Sequence, residues 1–193
     1  MGASYMGSFQ RGLRHGRGVE EFGNKMGIKF VCPAGHRHMG DGFCKYTGDF
    51  VRGEFHGRGE LKCCDGRSYS GGWVKEKKHG EGVQVLLREH ETGDPKRHFI
   101  GPNGSLYRVH SHLGLFHENK MQGYGISVFM NGDQLLGEFI DGKPHGIVVF
   151  KFCSGKSKMA LYDKGMRLRW LDGTVEDEEI LNSFKISLNN LKI

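Results

Sequence analysis

Residues 46–59 read YTGDFVRGEFHGRG, and this stretch decides the fold because its pattern is repeated along the chain. Residues 5–18 (YMGSFQRGLRHGRG) and 69–82 (YSGGWVKEKKHGEG) follow the same template: aromatic, glycine, aromatic, then a closing His-Gly-x-Gly. Two worn copies begin at positions 112 and 135. The starts at 46 and 69 differ by 23 residues, as do those at 112 and 135. A repeat of fixed period predicts an array of similar supersecondary units.

The predicted unit is a β-hairpin, numbered here from position 1, the aromatic residue that opens each copy. Positions 1, 3 and 5 share one face of a strand because side chains alternate along it. The glycine at position 8 lies in a turn, where a positive φ suits a residue without a Cβ. The glycines of the second strand leave room for a ring to lie on bare backbone. Pairs such as Asp65-Gly66 and Asn131-Gly132 predict the turn to the next hairpin.

Four features depart from the template. Glu76 and Asn119 replace the turn glycine, and we expect poorer turns there. Residues 28–45 are interpreted as an eroded, shortened repeat that starts at Ile28. Residues 88–111 lack the template and are interpreted as a long polar hairpin excursion. A competing repeat register starts at Tyr107, but a start at His112 keeps the later glycines and rings in phase.

The last twenty residues predict a helix. Thr174 suits an N-cap, acidic residues follow it in the first turn, and apolar residues then recur at helical spacing. This helix would cap the open edge of the last hairpin, or alternatively dock another chain. The predicted organisation is therefore a repeat domain over residues 1–173 and a helical cap over 174–193.

The repeated residues resemble the MORN (membrane occupation and recognition nexus) family, with about six or seven repeats over residues 5–168, some of them degenerate. The expected fold is all-β: an elongated, twisted, single-layer antiparallel sheet of hairpins. The resemblance implies a non-catalytic scaffold at cytoskeletal, ciliary or membrane-contact sites. It also implies, as an alternative, a module like the regulatory segments of lipid kinases and of a SET-domain lysine methyltransferase.

A single sheet cannot hide both faces, so the aromatic positions are predicted to line a groove. Such grooves bind extended or helical protein segments. The alternative is that the rings only stack on one another. Open sheet edges also make a homodimer plausible. The predicted groove residues are Tyr5, Phe9, Tyr46, Phe50, Tyr69, Trp73, Phe116 and Phe139.

The formal net charge of +6 supports a second hypothesis, peripheral binding to anionic phospholipid. The alternative is a solvated surface that keeps sheet edges from aggregating. Nucleic acid is not an expected partner, because no nucleic-acid module is recognisable. The residues of the candidate basic strip are Lys75, Lys77, Lys78, Arg88, Lys96 and Arg97.

No catalytic chemistry is predicted. Histidines such as His56 and His79 recur in one repeat slot, which indicates a structural role, and no cofactor is expected. The cluster Cys32-x3-His36-x-His38-x5-Cys44 matches no common zinc spacing, so no metal site is predicted. Five cysteines without an apolar signal core favour free thiols in a reducing cytosol, and hence a cytoplasmic protein, possibly cytoskeleton- or cilium-associated.

Overall fold

The computed structural model describes residues 4–24, 30–31, 37–38, 42–86, 98–100 and 106–171, and every regular element in them is a β-strand. The all-β prediction is therefore confirmed for these residues, whereas the predicted helix over 174–193 lies outside them. The strands are β1 (Ser4–Gln10), β2 (Leu13–Asn24), β3 (Phe30–Val31), β4 (Arg37–His38), β5 (Gly42–Val51), β6 (Glu54–Cys63), β7 (Ser68–Val74), β8 (Lys77–Val85), β9 (His98–Ile100), β10 (Leu106–His117), β11 (Lys120–Phe129), β12 (Gln134–Ile140), β13 (Lys143–Lys151), β14 (Ser157–Asp163) and β15 (Met166–Leu171).

The chain divides into two compact units. The first comprises Met1–Leu87 and Phe116–Asn119, and the second comprises Arg88–Leu115 and Lys120–Ile193. In the first unit the strands pair antiparallel in the order β1-β2-β5-β6-β7-β8. In the second, β11 to β15 pair in chain order, and β9 lies beside β10. Each unit is thus built from consecutive antiparallel hairpins, as the repeat predicts.

The turn inside each repeat uses two residues with positive φ, at positions 7 and 8. Glu76 (φ 61°) and Asn119 (φ 73°) adopt the left-handed conformation that glycine adopts in the other copies, for example Gly53 (φ 90°). Two consecutive positive φ angles are typical of the type I′ turn, whose twist matches that of the strands. The irregular copies therefore keep the turn and hold a side chain in a conformation that favours glycine.

Successive turns are tied together by the backbone. The N–H of Gly53, at position 8, donates to the carbonyl of Arg14, at position 10 of the preceding copy (2.8 Å). The N–H of Glu76 donates to Phe55 in the same way (3.0 Å), and that of Gly142 to Met121 (2.8 Å). This bond aligns each hairpin with its predecessor without using a side chain, so it tolerates the variation at these positions.

The stretch that was interpreted as an eroded repeat does not join the main sheet. β2 pairs directly with β5, with Asn24 opposite Gly42, so the first copy lies next to the second. β3 and β4, which fall inside residues 28–45, pair with each other in a separate two-stranded sheet. Because β2 and β5 are hydrogen-bonded to each other, no repeat lies between the first and second copies in the main sheet.

The excursion over residues 88–111 contains a pair of antiparallel strands. β9 pairs antiparallel with the start of β10, with Tyr107 opposite Phe99, while residues 88–97 and 101–105 lie outside the description. The later part of β10 returns to the template, because His112 occupies position 1 and its ring lies over Gly114 and Gly125.

The expectation of free thiols is wrong for two of the five cysteines. Cys44 on β5 and Cys63 on β6 are directly opposite each other and form a disulfide. Cys64 and Cys153 are free and exposed, and Cys32 lies outside the described residues. A count of cysteines along the chain misses such a pair, because only the register of the two strands brings the two side chains together.

Candidate binding surface

Within each unit, side chains at the opening and fifth positions of the copies pack on one another, and we call this set the ring stripe of that unit. In the first unit, Tyr46 contacts Phe50 of its own copy edge-to-face, with centroids 5.2 Å apart. Tyr46 also contacts Trp73 of the following copy, at 5.4 Å and 89°. The pairs Tyr5–Phe50 (5.0 Å), Tyr69–Phe116 (5.1 Å) and, in the second unit, His112–Phe139 (4.8 Å) repeat this link. Edge-to-face pairs stabilise by about 0.5–1.5 kcal/mol each beyond burial.

As predicted, the ring at position 1 packs against glycine backbone, where no side chain occupies the space. A Cβ added to Gly82 would lie 2.6 Å from two ring carbons of Tyr69, and one added to Gly71 would lie 2.6 Å from its hydroxyl oxygen. The Tyr69 hydroxyl donates to the carbonyl of Gly72 (3.1 Å), so its polar end is satisfied. Burial raises the pKa of Tyr69 well above its ordinary value of 10. The side chain is a neutral, hydrogen-bonded part of the core.

Position 10 contributes a second layer that sequence reasoning missed. Phe55 stacks on Tyr46 in parallel, with centroids 3.7 Å apart and planes at 4°. Lys78 is buried, and its ammonium lies over the rings of Tyr69 (5.7 Å) and Phe116 (5.9 Å). Because this position holds residues as different as arginine, phenylalanine and lysine, no shared residue type reveals the slot in the sequence.

The two degenerate copies, which begin at positions 112 and 135, have other residues than tyrosine at position 1 of the ring stripe. His112 replaces tyrosine, is buried, and its Nδ1 lies 2.9 Å from the Ser127 hydroxyl oxygen. Leu135 replaces tyrosine in the next copy, and there Val148 stands where a seating glycine would be. The shorter leucine leaves the space that the valine takes, so the core stays filled.

Most of the predicted groove residues form the core of their unit. Six of the eight are at most 3% exposed, so their rings pack on one another and offer almost no surface to a partner: Tyr46, Phe50, Tyr69, Trp73, Phe116 and Phe139. Tyr5 is half-buried, while Phe9 is 62% exposed. A binding role for this set stays a prediction, and the accessible part of the ring stripe in the first unit is the end at Phe9.

Phe9 is exposed because of its place in the array. Phe50 and Trp73 are each covered by the position-1 ring of the preceding copy, whereas Phe9 contacts the Tyr5 ring of its own copy. Its strand β1 is terminal in the sheet order. Its sequence SYMGSFQ contains neither a charged residue nor proline, the residues that commonly protect an edge.

The candidate basic strip is only partly at the surface. Lys75 is exposed, and Lys77 is exposed and pairs with Glu118 (3.1 Å), which lowers the pKa of that carboxyl. Lys78, by contrast, is buried beneath the ring stripe. The other three residues, Arg88, Lys96 and Arg97, lie outside the described residues, so lipid binding stays a prediction.

The repeated histidines lie among ordinary contacts. The His145 ring nitrogen Nδ1 is 3.3 Å from Asp163, and the rings of His79 and His117 lie 4.9 Å apart. Within the described part of the chain, no three His, Cys, Asp or Glu side chains are grouped as metal ligands. Of the candidate zinc cluster, Cys44 is in the disulfide, and the other side chains lie outside the description.

No helix of membrane-spanning length and hydropathy occurs in the residues that the structure describes.

Comparison with known proteins identifies proteins that are similar to part of this chain. The chain is 30% identical over 106 residues to the human ALS2 C-terminal-like protein, covering 55% of this chain and 10% of that protein. It is 31% identical over 101 residues to rat alsin, covering 52% of this chain and 5% of alsin. The chain thus spans about a tenth or less of the length of these relatives.

The repeat itself also matches a known family. The MORN repeat matches residues 5–26, 46–66, 69–86, 113–134 and 136–157, which together make up more than half of the chain. The matched segments carry most of the turns and ring positions described above, in both units. The chain therefore belongs to the MORN repeat family.

Proposed function

We propose that the protein is a non-enzymatic binding module whose first unit takes a β-strand or hairpin of a protein partner at the edge strand β1. The partner places an aromatic side chain on Phe9, as each preceding copy does for its successor. MORN repeats are generally non-catalytic, and the family resemblance suggests a cytoskeletal, ciliary or membrane-contact protein as the partner. The proposed binding site is therefore the end of the ring stripe at Phe9 and not a long groove along it.

The observation that carries the proposal is the exposure of Phe9 at 62%, against 1% for both Phe50 and Trp73 in the same template position. Covering such a ring removes apolar surface from water, which contributes about 25 cal/mol of favourable free energy per Å² buried. The adjacent backbone of β1 can accept a further strand through main-chain hydrogen bonds. The Phe9 ring would therefore contribute affinity, and the backbone hydrogen bonds of β1 would set the register of the bound strand.

The charge of the surroundings suits a protein ligand better than a phosphate surface. Arg14, which lies opposite Phe9 on β2 and is partly buried, is paired with Glu20 and lies over Phe50 (5.4 Å). Arg17 lies 3.7 Å from Asp49. Because these cations already have acidic partners or rings, binding at this end should depend on apolar and backbone contacts and change little with salt.

The test uses a hairpin of the required kind. The probe is a labelled, backbone-cyclised peptide of residues 68–86, which contains β7 and β8 and no cysteine. Binding is measured by fluorescence anisotropy at low and high salt. We expect saturable binding to the wild type, at least ten-fold weaker binding to Phe9→Ala, and weaker binding of a Tyr69→Ala probe.

The matched control is Phe43→Ala, which removes an exposed phenylalanine (58%) elsewhere in the first unit. It should bind the probe like the wild type. Equal affinity of Phe9→Ala and wild type, or no binding of the cyclised probe, would refute the proposal. Trp73→Ala is unsuitable as a test, because a buried ring is lost and the fold is weakened.

A further inference from the structure

Position 7 of the repeat carries a cation in each of the three clear copies. Arg11, Arg52 and Lys75 are the first residues of the turns that join β1 to β2, β5 to β6 and β7 to β8. All three side chains are exposed, and all three belong to the first unit. We call these residues the turn row.

The turn itself does not require a cation at position 7. Glu118 (φ 45°) and Asp141 (φ 52°) adopt the same left-handed conformation as Arg11 (φ 51°) in the later copies. Asparagine, aspartate and glycine are the residues that ordinarily favour such turns. The three positive charges are therefore not set by local backbone geometry, and they distinguish the surface of the first unit.

The acidic residues at position 7 of the later copies are paired. Glu118 lies 3.1 Å from Lys77, and Asp141 lies 2.7 Å from Lys120. In both cases a lysine at position 9 of the preceding copy supplies the partner. A charge at position 7 is thus ordinarily neutralised by the neighbouring turn.

The cations of the turn row have no such partner. In the part of the chain that the structure describes, no acidic side chain forms an ion pair with them, although Glu54 and Glu76 lie at the same hairpin ends. Exposed cations on the strands of this unit do have acidic neighbours, at 2.9–3.7 Å: Arg17, Arg58 and Lys62. The turn row therefore offers three charges to a ligand.

Backbone geometry spaces the turn row evenly. Consecutive hairpins lie side by side, with β2 next to β5 and β6 next to β7. The backbone bonds from Gly53 to Arg14 and from Glu76 to Phe55 hold successive turns together. Each hairpin contributes two strands at a spacing of about 4.8 Å, so the turns recur about every 10 Å. A ligand that contacts the whole row must present anionic groups at this interval on one side.

We propose that the turn row binds an acidic segment of a partner protein in the polyproline II conformation, with a carboxylate at every third residue. This helix has three residues per turn and rises about 3.1 Å per residue, so these carboxylates share one side at intervals of about 9.3 Å. The side chains on one face of a β-strand recur at about 6.7 Å, which does not match the row. The polyproline II conformation also exists before binding, which keeps the ordering cost low.

The test uses a labelled peptide, Glu-Pro-Pro-Glu-Pro-Pro-Glu, whose binding to the full chain is measured by fluorescence anisotropy. We expect saturable binding that weakens as salt rises. Binding to Arg11→Asn/Arg52→Asn/Lys75→Asn should be weaker by at least about five-fold, because three ion pairs are lost. Asparagine suits a left-handed turn residue, so this variant should keep its fold, which urea unfolding checks. A peptide of the same composition with three contiguous glutamates should bind the wild type more weakly than the spaced peptide.

The matched control is Arg17→Gln/Arg58→Gln/Lys62→Gln, which removes the same charge from the strands of this unit and should bind like the wild type. Equal weakening in this control would overturn the proposal, because general charge attraction would then explain the binding. Equal affinity for the contiguous peptide, or no binding of the spaced peptide, would overturn it too.

Two further measurements separate this site from other surfaces and ligands. Phe9→Ala should leave the affinity for the spaced peptide unchanged, since the edge strand β1 is a different site; weakened binding would contradict a separate turn row. Vesicles of anionic phospholipid provide the alternative ligand. If the turn-row variant lost vesicle binding while the spaced peptide bound neither protein, the row would meet a membrane surface, and the proposal would be wrong.

Discussion

At the scale of single residues, the array depends on a match between a large ring and the absence of a side chain. Tyr69 lies where Gly71 and Gly82 have no Cβ, and its hydroxyl donates to the carbonyl of Gly72 on the same strand. Leu135 with Val148 is a second solution, in which a smaller residue at position 1 permits a larger one across the strand. The two positions therefore constrain each other.

This coupling predicts the outcome of a double-mutant cycle. Gly82→Val should destabilise the protein by about 3 kcal/mol or more, because its side chain would overlap the Tyr69 ring. Tyr69→Leu should lower stability by roughly 2–4 kcal/mol through lost ring burial. The double variant, which copies the Leu135/Val148 pair, should be more stable than the sum predicts by about 1 kcal/mol or more. Urea unfolding measures the three values, and strict additivity would contradict the coupling.

At the scale of the hairpin, the turns keep their geometry after the favoured residue is lost. Glu76 and Asn119 both have positive φ, and both donate their N–H to the preceding copy. The two residues are not equivalent. The Asn119 side-chain oxygen accepts from the N–H of Lys78 (2.9 Å), and asparagine tolerates this conformation better than glutamate does.

The turns give the second prediction. Glu76→Gly should raise the free energy of unfolding by roughly 1 kcal/mol, because it relieves a left-handed residue and removes a carboxyl whose pKa burial raises. Asn119→Gly should gain nothing or lose stability, because it deletes the bond to Lys78. Thermal and urea unfolding compare the two. Equal gains in both variants would show that the side-chain bond contributes nothing.

At the scale of the whole molecule, the chain comprises two compact units with one tryptophan each. Trp73 lies in the first unit, where its indole N–H donates to the Gly59 carbonyl (3.0 Å). Trp170 lies in the second, with the Arg167 guanidinium over its ring (4.6 Å). The Cys44–Cys63 disulfide belongs to the first unit alone. These features allow the stability of each unit to be followed separately.

The third prediction uses the variants Trp170→Phe and Trp73→Phe, which each keep one reporter. Reduction opens a disulfide with a sequence separation of 19 residues, which should weaken the first unit by up to about 3 kcal/mol. The urea midpoint reported by Trp73 should fall on reduction, and the midpoint reported by Trp170 should stay. In a Cys44→Ala/Cys63→Ala background, reductant should change neither. A fall of both midpoints together would mean that the units unfold as one.

The repeat pattern predicted the role of some residues of the ring stripe but not the burial or exposure of others. Gly82 could be assigned to ring seating from sequence because the same residue recurs in the same slot. Lys78 could not be assigned to the core, because its slot varies and a lysine in a charged turn is ordinarily at the surface. Phe9 and Phe50 occupy identical template positions, so the template alone did not show that Tyr5 covers Phe50 while Phe9 stays exposed.

By itself, the sequence determined the all-β hairpin unit, its turns and its glycine-seated rings, because these depend on local backbone geometry and on a period that is visible along the chain. Tertiary structure decided which rings are buried and that one is left open. It also decided that Cys44 meets Cys63 and that residues 30–31 and 37–38 pair outside the main sheet. The physical reason is that these outcomes depend on which strands become neighbours, and strand neighbours are set across the sheet and not along the chain.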